Sequence, residues 1–214
     1  MSFDFSIDPF SNFQNSLRDA QIKGIPDHNA MTVATSSIEK TPDGVIAKPS
    51  CRIVFFKGFV RGGFSFYTNY NGRKGQDILQ NQNIAANFFW SHLDAQFRID
   101  GVVDKLTEDE SDQYFWSRAR LSQIGAWASH QSDELKSFDE FHLRVAEFEK
   151  KFAGGRIPRP PHWGGYRIVP NELEFWFGRN GRLHERYVYS RTDTKGLRVN
   201  FFSDYDWRTF LRYP

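Results

Sequence analysis

The sequence predicts a mainly β fold with accessory α-helices, built as an antiparallel barrel or sandwich, and three observations carry that reading. Short runs rich in β-branched and aromatic residues recur along the chain. Gly, Asn, Asp or Pro separates them at close intervals, and only a few stretches show the 3.6-residue apolar spacing of a helix. With 214 residues, 39% of them hydrophobic, the chain can bury a sizeable core, so one domain over 1–214 is expected rather than two, with residues 1–7 flexible.

Taken in order, Asp8 before Pro9 supplies an N-cap and a first-turn proline, so a helix should run through Phe13 and Leu17 and stop near Gly24. Strands are expected at Ala30–Thr35, Ser50–Phe56, Gly63–Thr68, Ile84–Trp90 and Gln96–Leu106, with a short helical pattern through Ile78 and Leu79 between the third and fourth. Two helices then interrupt the sheet, each opened by a capping box, Thr107 with Glu110 and Ser137 with Glu140. In the second, Phe138, Phe141, Val145, Phe148 and Phe152 form one stripe, read as core, which ends at Gly154 and Gly155. A proline-rich connector, Ile157 to Pro161, leads into three further strands around Tyr166–Val169, Leu173–Phe177 and Leu183–Tyr189.

Charge and cysteine content remove whole classes of function. Lys and Arg number 28 against 26 Asp and Glu, and a net charge of +2 is far from the basic balance of a protein held on nucleic acid. Any anion site must be local. Cys51 is the single cysteine, which excludes an intramolecular disulfide and a multi-thiolate zinc site and fits a reducing compartment. No segment approaches the roughly 18 apolar residues of a membrane span, so no membrane partner is expected and the reading is cytoplasmic. The histidines show no HExxH pairing, and neither a GxSxG elbow nor a GxxxxGK[ST] loop occurs, so no metal is expected.

Three stretches could carry chemistry. In the expected strand from Arg182 to Tyr189, alternation sends Arg182, His184 and Arg186 to one face, which is either an anion site or the solvated face of an edge strand. Around Asn69–Gly75, a turn with Arg73 and Lys74 precedes a helical pattern. Its backbone N–H groups suit a phosphate monoester, or it is an ordinary basic turn. The strand Arg52–Lys57 has basic groups at both ends on opposite faces, and the segment holding Tyr114, Arg118, Ser122, Trp127, Gln131 and Ser132 combines donors with an indole.

In this order the stretches resemble the pyridoxamine 5′-phosphate oxidase family, over "RIVFFK" from Arg52, "FYTNYNGRKG" from Phe66, "SQIGAWASHQS" from Ser122, "IPRPPHWGGYRIVP" from Ile157 and "EFWFGRNGRLHERYVY" from Glu174. The resemblance implies an FMN-binding split β-barrel working as a homodimer, with FMN at the subunit interface. It implies oxidation of pyridoxine or pyridoxamine 5′-phosphate to pyridoxal 5′-phosphate, with oxygen as acceptor. Carried over, the FMN contacts are Arg52, Ile53, Val54, Phe55, Phe56, Lys57, Tyr67, Thr68, Arg73, Lys74, Gln96, Gln131, Ser132, Trp176 and Arg186. The substrate set is Lys57, Tyr114, Arg118, Ser122, Arg182 and His184, with Arg182 and His184 the candidate catalytic pair.

The sequence departs from the family pattern at Gly72, where Ser is common, at Ala119 for Pro, at Phe177 for Gln and in the ending Leu211-Arg212-Tyr213-Pro214, and an N-terminal Arg/Tyr arm has no counterpart. Two other readings stand beside the oxidase: a split-barrel protein that carries FMN or pyridoxal phosphate without turnover, and a flavin reductase or related oxidase on the same barrel. The segments "SRARLSQIGAWAS" and "RLHER" discriminate, because the resemblance puts them on the substrate side.

Overall fold

The structure, a computed structural model, describes residues 3–214. The chain runs α1 (Pro9–Ile22), β1 (Ala30–Thr41), β2 (Gly44–Phe55), β3 (Phe59–Val60), β4 (Gly63–Asn69), α2 (Arg73–Gln80), β5 (Asn83–Trp90), β6 (Ala95–Lys105), α3 (Glu108–Ser117), α4 (Arg120–Ala128), α5 (Phe138–Lys151), β7 (Trp163–Phe177), β8 (Glu185–Arg191) and β9 (Trp207–Leu211). All strand pairs are antiparallel, in the order β2-β1-β5-β6-β7-β4-β3, with β8 beside β7 and β9 beside β8. Past β2, the Lys57 N–H donates to Ser65 O at 2.9 Å and the Ser65 N–H to Gly58 O at 2.9 Å. These bonds bring the first edge of the sheet round to β4.

Alternation decides what fills the barrel. In β6, Phe97, Ile99 and Val103 point inward while Gln96, Arg98 and Asp100 take the other face. The filling is aromatic because α1 drops Phe13 among Phe56, Phe64, Phe88 and Phe97, with ring centroids 4.7–5.3 Å apart. Asp8 fixes the start of that helix, its carboxylate accepting from the Phe10 and Ser11 N–H groups at 3.0 Å.

Of the stretch 1–7 expected to be flexible, residues 1 and 2 lie outside the described residues, and the Phe3 ring lies 4.4 Å from Tyr187 and 4.7 Å from Phe175, with Phe5 against Tyr189. Several expectations about the strands and helices need correction. β7 is one strand where two were expected. Pro170 and Asn171 sit at a register shift opposite Asp100 and Gly101, a bulge that accommodates a residue without an N–H. β1 and β2 extend into a hairpin arm beyond the expected bounds, and β9 and α4 carry no signal that announced them. The N-cap of α4 is Ala119, with no side-chain cap. The α5 stripe is not core: Phe138 is 75% exposed, while Val145, Phe148 and Phe152 half-bury against a second apolar cluster of Phe115, Ile124, Ala126, Ile157 and Trp163.

The correction that matters most for function falls before β8. The strand starts at Glu185, and Asn180–Arg182 form a 3-10 turn with Gly181 at φ 66° and Arg182 at φ 61°. Two successive left-handed residues reverse the chain, so strand alternation does not place Arg182 and His184 on one face with Arg186.

Candidate active site

One cleft of about 610 Å³ gathers much of the expected set. The end of β2 and the residues after it supply Ile53, Val54, Phe55 and Lys57; β4 supplies Tyr67 and Thr68; α2 supplies Lys74. The helical side contributes Tyr114, Arg118, Ser122 and Gln131, and β7 opens with Trp163. Phe56 turns away into the core, where it packs on Phe13.

At one end of the cleft, the chain leaves β4 through a turn that must pass close to itself: a Cβ on Gly75 would lie 2.0 Å from Tyr70 O. Gly72 then caps α2 with no side-chain bond, and the Gly75 N–H donates back to Gly72 O at 2.8 Å. The Arg73 N–H donates to Ser132 Oγ at 3.2 Å. Lys74 is buried beneath this turn, its Nζ donating to Gln131 Oε1 at 2.7 Å and Thr68 Oγ1 at 2.9 Å. Among the described residues no carboxylate pairs with it. Burial, aided by the nearby Arg52 charge, pushes its pKa down to about 8. Arg52 reaches the same end of α2 from β2, donating to Thr35 Oγ1 at 2.6 Å with Asp77 at 3.7 Å. Ser132 holds φ 77°, an uncommon conformation for a residue with a side chain, and strain of this kind marks sites that the surrounding structure holds in place.

The other end is aromatic and cationic. Tyr67 and Tyr114 stack with centroids 3.8 Å apart, and burial followed by the neighbouring Tyr114 raises the Tyr67 hydroxyl to about 12. The Arg118 guanidinium lies 4.5 Å over the Trp163 ring, and its Nη1 is buried with no hydrogen-bond partner. Burial lowers its pKa, with Tyr114 opposing. An unpaired buried donor on a cation is costly unless a ligand completes it.

Arg52, Phe56, Arg73 and Ser132 do not line the cleft itself, and the other five expected residues outside it form a second group. Gln96, Trp176 and Arg186 stand side by side across β6, β7 and β8 on the face opposite the core. The His184 ring sits 4.7 Å from Trp176, and its Nδ1 accepts from the Arg179 N–H at 3.2 Å. Arg186 is tied to buried Glu174 through Nε and Nη2 at 2.8–3.0 Å and to Tyr213 O through Nη1, while Arg212 reaches the same Glu174 at 2.7 Å. Arg182 projects from its turn, exposed.

The expected set therefore splits in two within one chain. Sequence reasoning missed Trp163 and Glu174, although both fall inside quoted motifs. The signal for Trp163 was the Gly-Gly after it: a Cβ on Gly164 would lie 2.1 Å from Tyr70 Oη, so that strand start is pressed against its neighbours.

Residues 17–152 match the family model described as pyridoxamine 5′-phosphate oxidase, and residues 163–214 match one described as the pyridoxine 5′-phosphate oxidase C-terminal dimerisation region. The chain belongs to the pyridoxamine 5′-phosphate oxidase family. A relative from Bdellovibrio bacteriovorus, named pyridoxine/pyridoxamine 5′-phosphate oxidase, is 50% identical over 212 residues, covering 99% of this chain and 100% of its own. One of the same name from Nostoc punctiforme is 46% identical over 197 residues, 92% of this chain and 89% of its own.

Among solved structures, PhzG from Burkholderia lata in complex with tetrahydrophenazine-1-carboxylic acid superimposes with a TM-score of 0.82 at 28% identity, covering 97% of this chain and 93% of that one. A pyridoxamine 5′-phosphate oxidase-related, FMN binding protein from Nostoc punctiforme gives 0.67 at 16% identity over the full length of both chains, a likeness of fold. That fold is the FMN-binding split β-barrel. Among the described residues no helix is long and apolar enough to cross a membrane.

Proposed function

We propose that the chain is an FMN-dependent oxidase of the cytoplasm that converts pyridoxine 5′-phosphate, or pyridoxamine 5′-phosphate with uptake of water and release of ammonia, to pyridoxal 5′-phosphate, with oxygen as acceptor and hydrogen peroxide formed. The observation that carries the reading is the pair of uncompensated cations at opposite ends of one cleft, Lys74 beneath an uncapped helix start and Arg118 with an unpaired Nη1. Two phosphates must be held at once in this reaction, one on the cofactor and one on the substrate. The donor set fits both.

The FMN phosphate falls to Arg73, Lys74, Ser132 and the α2 N–H groups, with Arg52 behind them and Gln131 and Thr68 orienting the Lys74 ammonium. Tyr67 and the backbone of residues 53–57 line the flank of the ring system. Arg118, Lys57, Tyr114 and Ser122 take the substrate phosphate. FMN held there would supply the redox chemistry that the side chains of the cleft lack.

The remaining residues, Gln96, Trp176, Arg182, His184 and Arg186, reach a cleft only if a second copy presents them, and the match to a dimerisation region supports a homodimer with composite sites. Arg182 and His184 then cover the substrate ring and hold it in the reacting pose, and no protein nucleophile is required. The likeness to PhzG supports a second reading, a flavin enzyme acting on an unphosphorylated aromatic acid, whose carboxylate Arg118 would also pair with.

The test is an aerobic assay of the purified protein. Equal amounts of pyridoxal 5′-phosphate and hydrogen peroxide from pyridoxine 5′-phosphate support the proposal. Turnover of unphosphorylated aromatics alone contradicts it.

A further inference from the structure

Arg118 poses a question that the site's general chemistry leaves open: what holds the cation in place. Among the described residues its side chain forms no hydrogen bond and no salt bridge, and its Nη1 is buried. Its directed contacts are aromatic faces, Trp163 at 4.5 Å from the guanidinium carbon and Phe115 at 5.8 Å.

Trp163 is itself fixed from several sides. It is 6% exposed, stacks on Tyr67 at 5.7 Å and 14°, and meets the edge of Phe115 at 5.3 Å. Its carbonyl accepts from Arg159 Nη1 at 2.7 Å, and Arg159 is anchored in turn on Asp112 of α3 at 2.5 Å. Arg159 thus ties the Trp163 backbone to α3, while Tyr67 and Phe115 pack the ring.

A π face and a carboxylate hold an arginine in different ways. A carboxylate occupies two N–H donors and cancels the charge, whereas a ring face attracts the cation and leaves the donors in the guanidinium plane free. From this geometry, and resting on the reading of Arg118 as the substrate-phosphate ligand, we propose that Trp163 is a positioning residue for the substrate phosphate. It holds Arg118 with its charge and hydrogen-bonding capacity intact, and so sets the preference for phosphorylated over unphosphorylated ligands.

The experiment titrates pyridoxal 5′-phosphate and pyridoxal into FMN-loaded protein, following the flavin absorbance, for the parent, Trp163→Leu, Trp163→Phe, Arg118→Ala and the double variant Trp163→Leu/Arg118→Ala. Trp163→Leu should weaken pyridoxal 5′-phosphate about tenfold, the scale of a desolvated cation–π contact, and leave pyridoxal and the Kd of FMN within twofold. Trp163→Phe, which keeps a smaller π face, should recover part of the loss. In the Arg118→Ala background the Trp163→Leu change should have no further effect.

Equal weakening of both ligands by Trp163→Leu overturns the inference, as does an undiminished effect of that change without Arg118. If Trp163→Leu does not fold, Trp163→Phe decides alone: no selective weakening of the phosphorylated ligand overturns the inference, and a selective loss supports it. Arg118→Ala separates the two levels. Without a phosphate-selective loss there, the reading of Arg118 fails first; a selective loss there but in neither Trp163 variant overturns the Trp163 inference alone.

Discussion

The buried ammonium of Lys74 makes FMN binding depend on pH with a definite sign. Free of ligand, Lys74 has its pKa lowered to about 8 from an ordinary 10.5, because burial and the Arg52 charge penalise the charged form. A phosphate dianion beside it reverses that penalty, so the bound state keeps the proton to higher pH. Above about pH 8, binding must then take up one proton, and affinity should fall by about tenfold per pH unit. Between pH 7 and 9.5 the loss should reach about thirtyfold, while below pH 8 the curve stays flat down to the phosphate's own second ionisation near 6. For the stability of the apoprotein the sign is the opposite one: between about 8 and 10.5 the unfolded chain holds the extra proton, so stability rises with pH across that window. The assay is fluorescence titration of apoprotein with FMN from pH 6.5 to 9.5, in the parent and in Lys74→Met. The variant should bind more weakly throughout and lose the alkaline slope. A parent curve flat to pH 9.5, or an equal slope in Lys74→Met, refutes the reasoning.

Other variants separate the remaining roles. Arg182→Met should leave a yellow dimer whose kcat/KM falls about a hundredfold, as lost positioning allows, whereas Arg186→Met should release FMN and regain activity with excess FMN; flavin absorbance with and without added FMN distinguishes them. Gly72→Ser fits the backbone at φ −67°, but its Cβ would lie 2.9 Å from Gln131 Oε1, the acceptor for Lys74, so the new hydroxyl's gain is offset and FMN affinity should change by less than about fivefold. A tenfold tightening in the same titration would show that Gln131 yields freely. Glu174→Ala strands Arg186 and Arg212 beside an emptied site and should cost about 3–5 kcal/mol in urea unfolding; a change below 1 kcal/mol would mean that water replaces the carboxylate.

How much of this was legible in the sequence varied with the kind of signal. Local chemistry was readable: Asp8-Pro9 starts α1, Thr107 and Glu110 form a complete capping box, and the Gly72-Arg73-Lys74 turn opens a helix. Tertiary outcomes were not. The α5 stripe has core periodicity, yet Phe138 is left 75% exposed. The alternation argument failed at Arg182 because Gly181 and Arg182 are both left-handed, so the strand begins only after them. The split of the site into two groups follows from register, since Gln96, Trp176 and Arg186 become neighbours only once β6, β7 and β8 pair. Glu174 was hidden for the same reason: its three arginine neighbours, Arg98, Arg186 and Arg212, are distant in sequence.

The most direct test of the central claim is anaerobic titration of the purified, FMN-loaded protein with pyridoxine 5′-phosphate. The account predicts loss of the yellow colour, with one pyridoxal 5′-phosphate formed per flavin and the colour returning when oxygen is admitted. A flavin that keeps its colour through many equivalents of pyridoxine 5′-phosphate and of pyridoxamine 5′-phosphate would contradict the account and leave a carrier of FMN without this turnover.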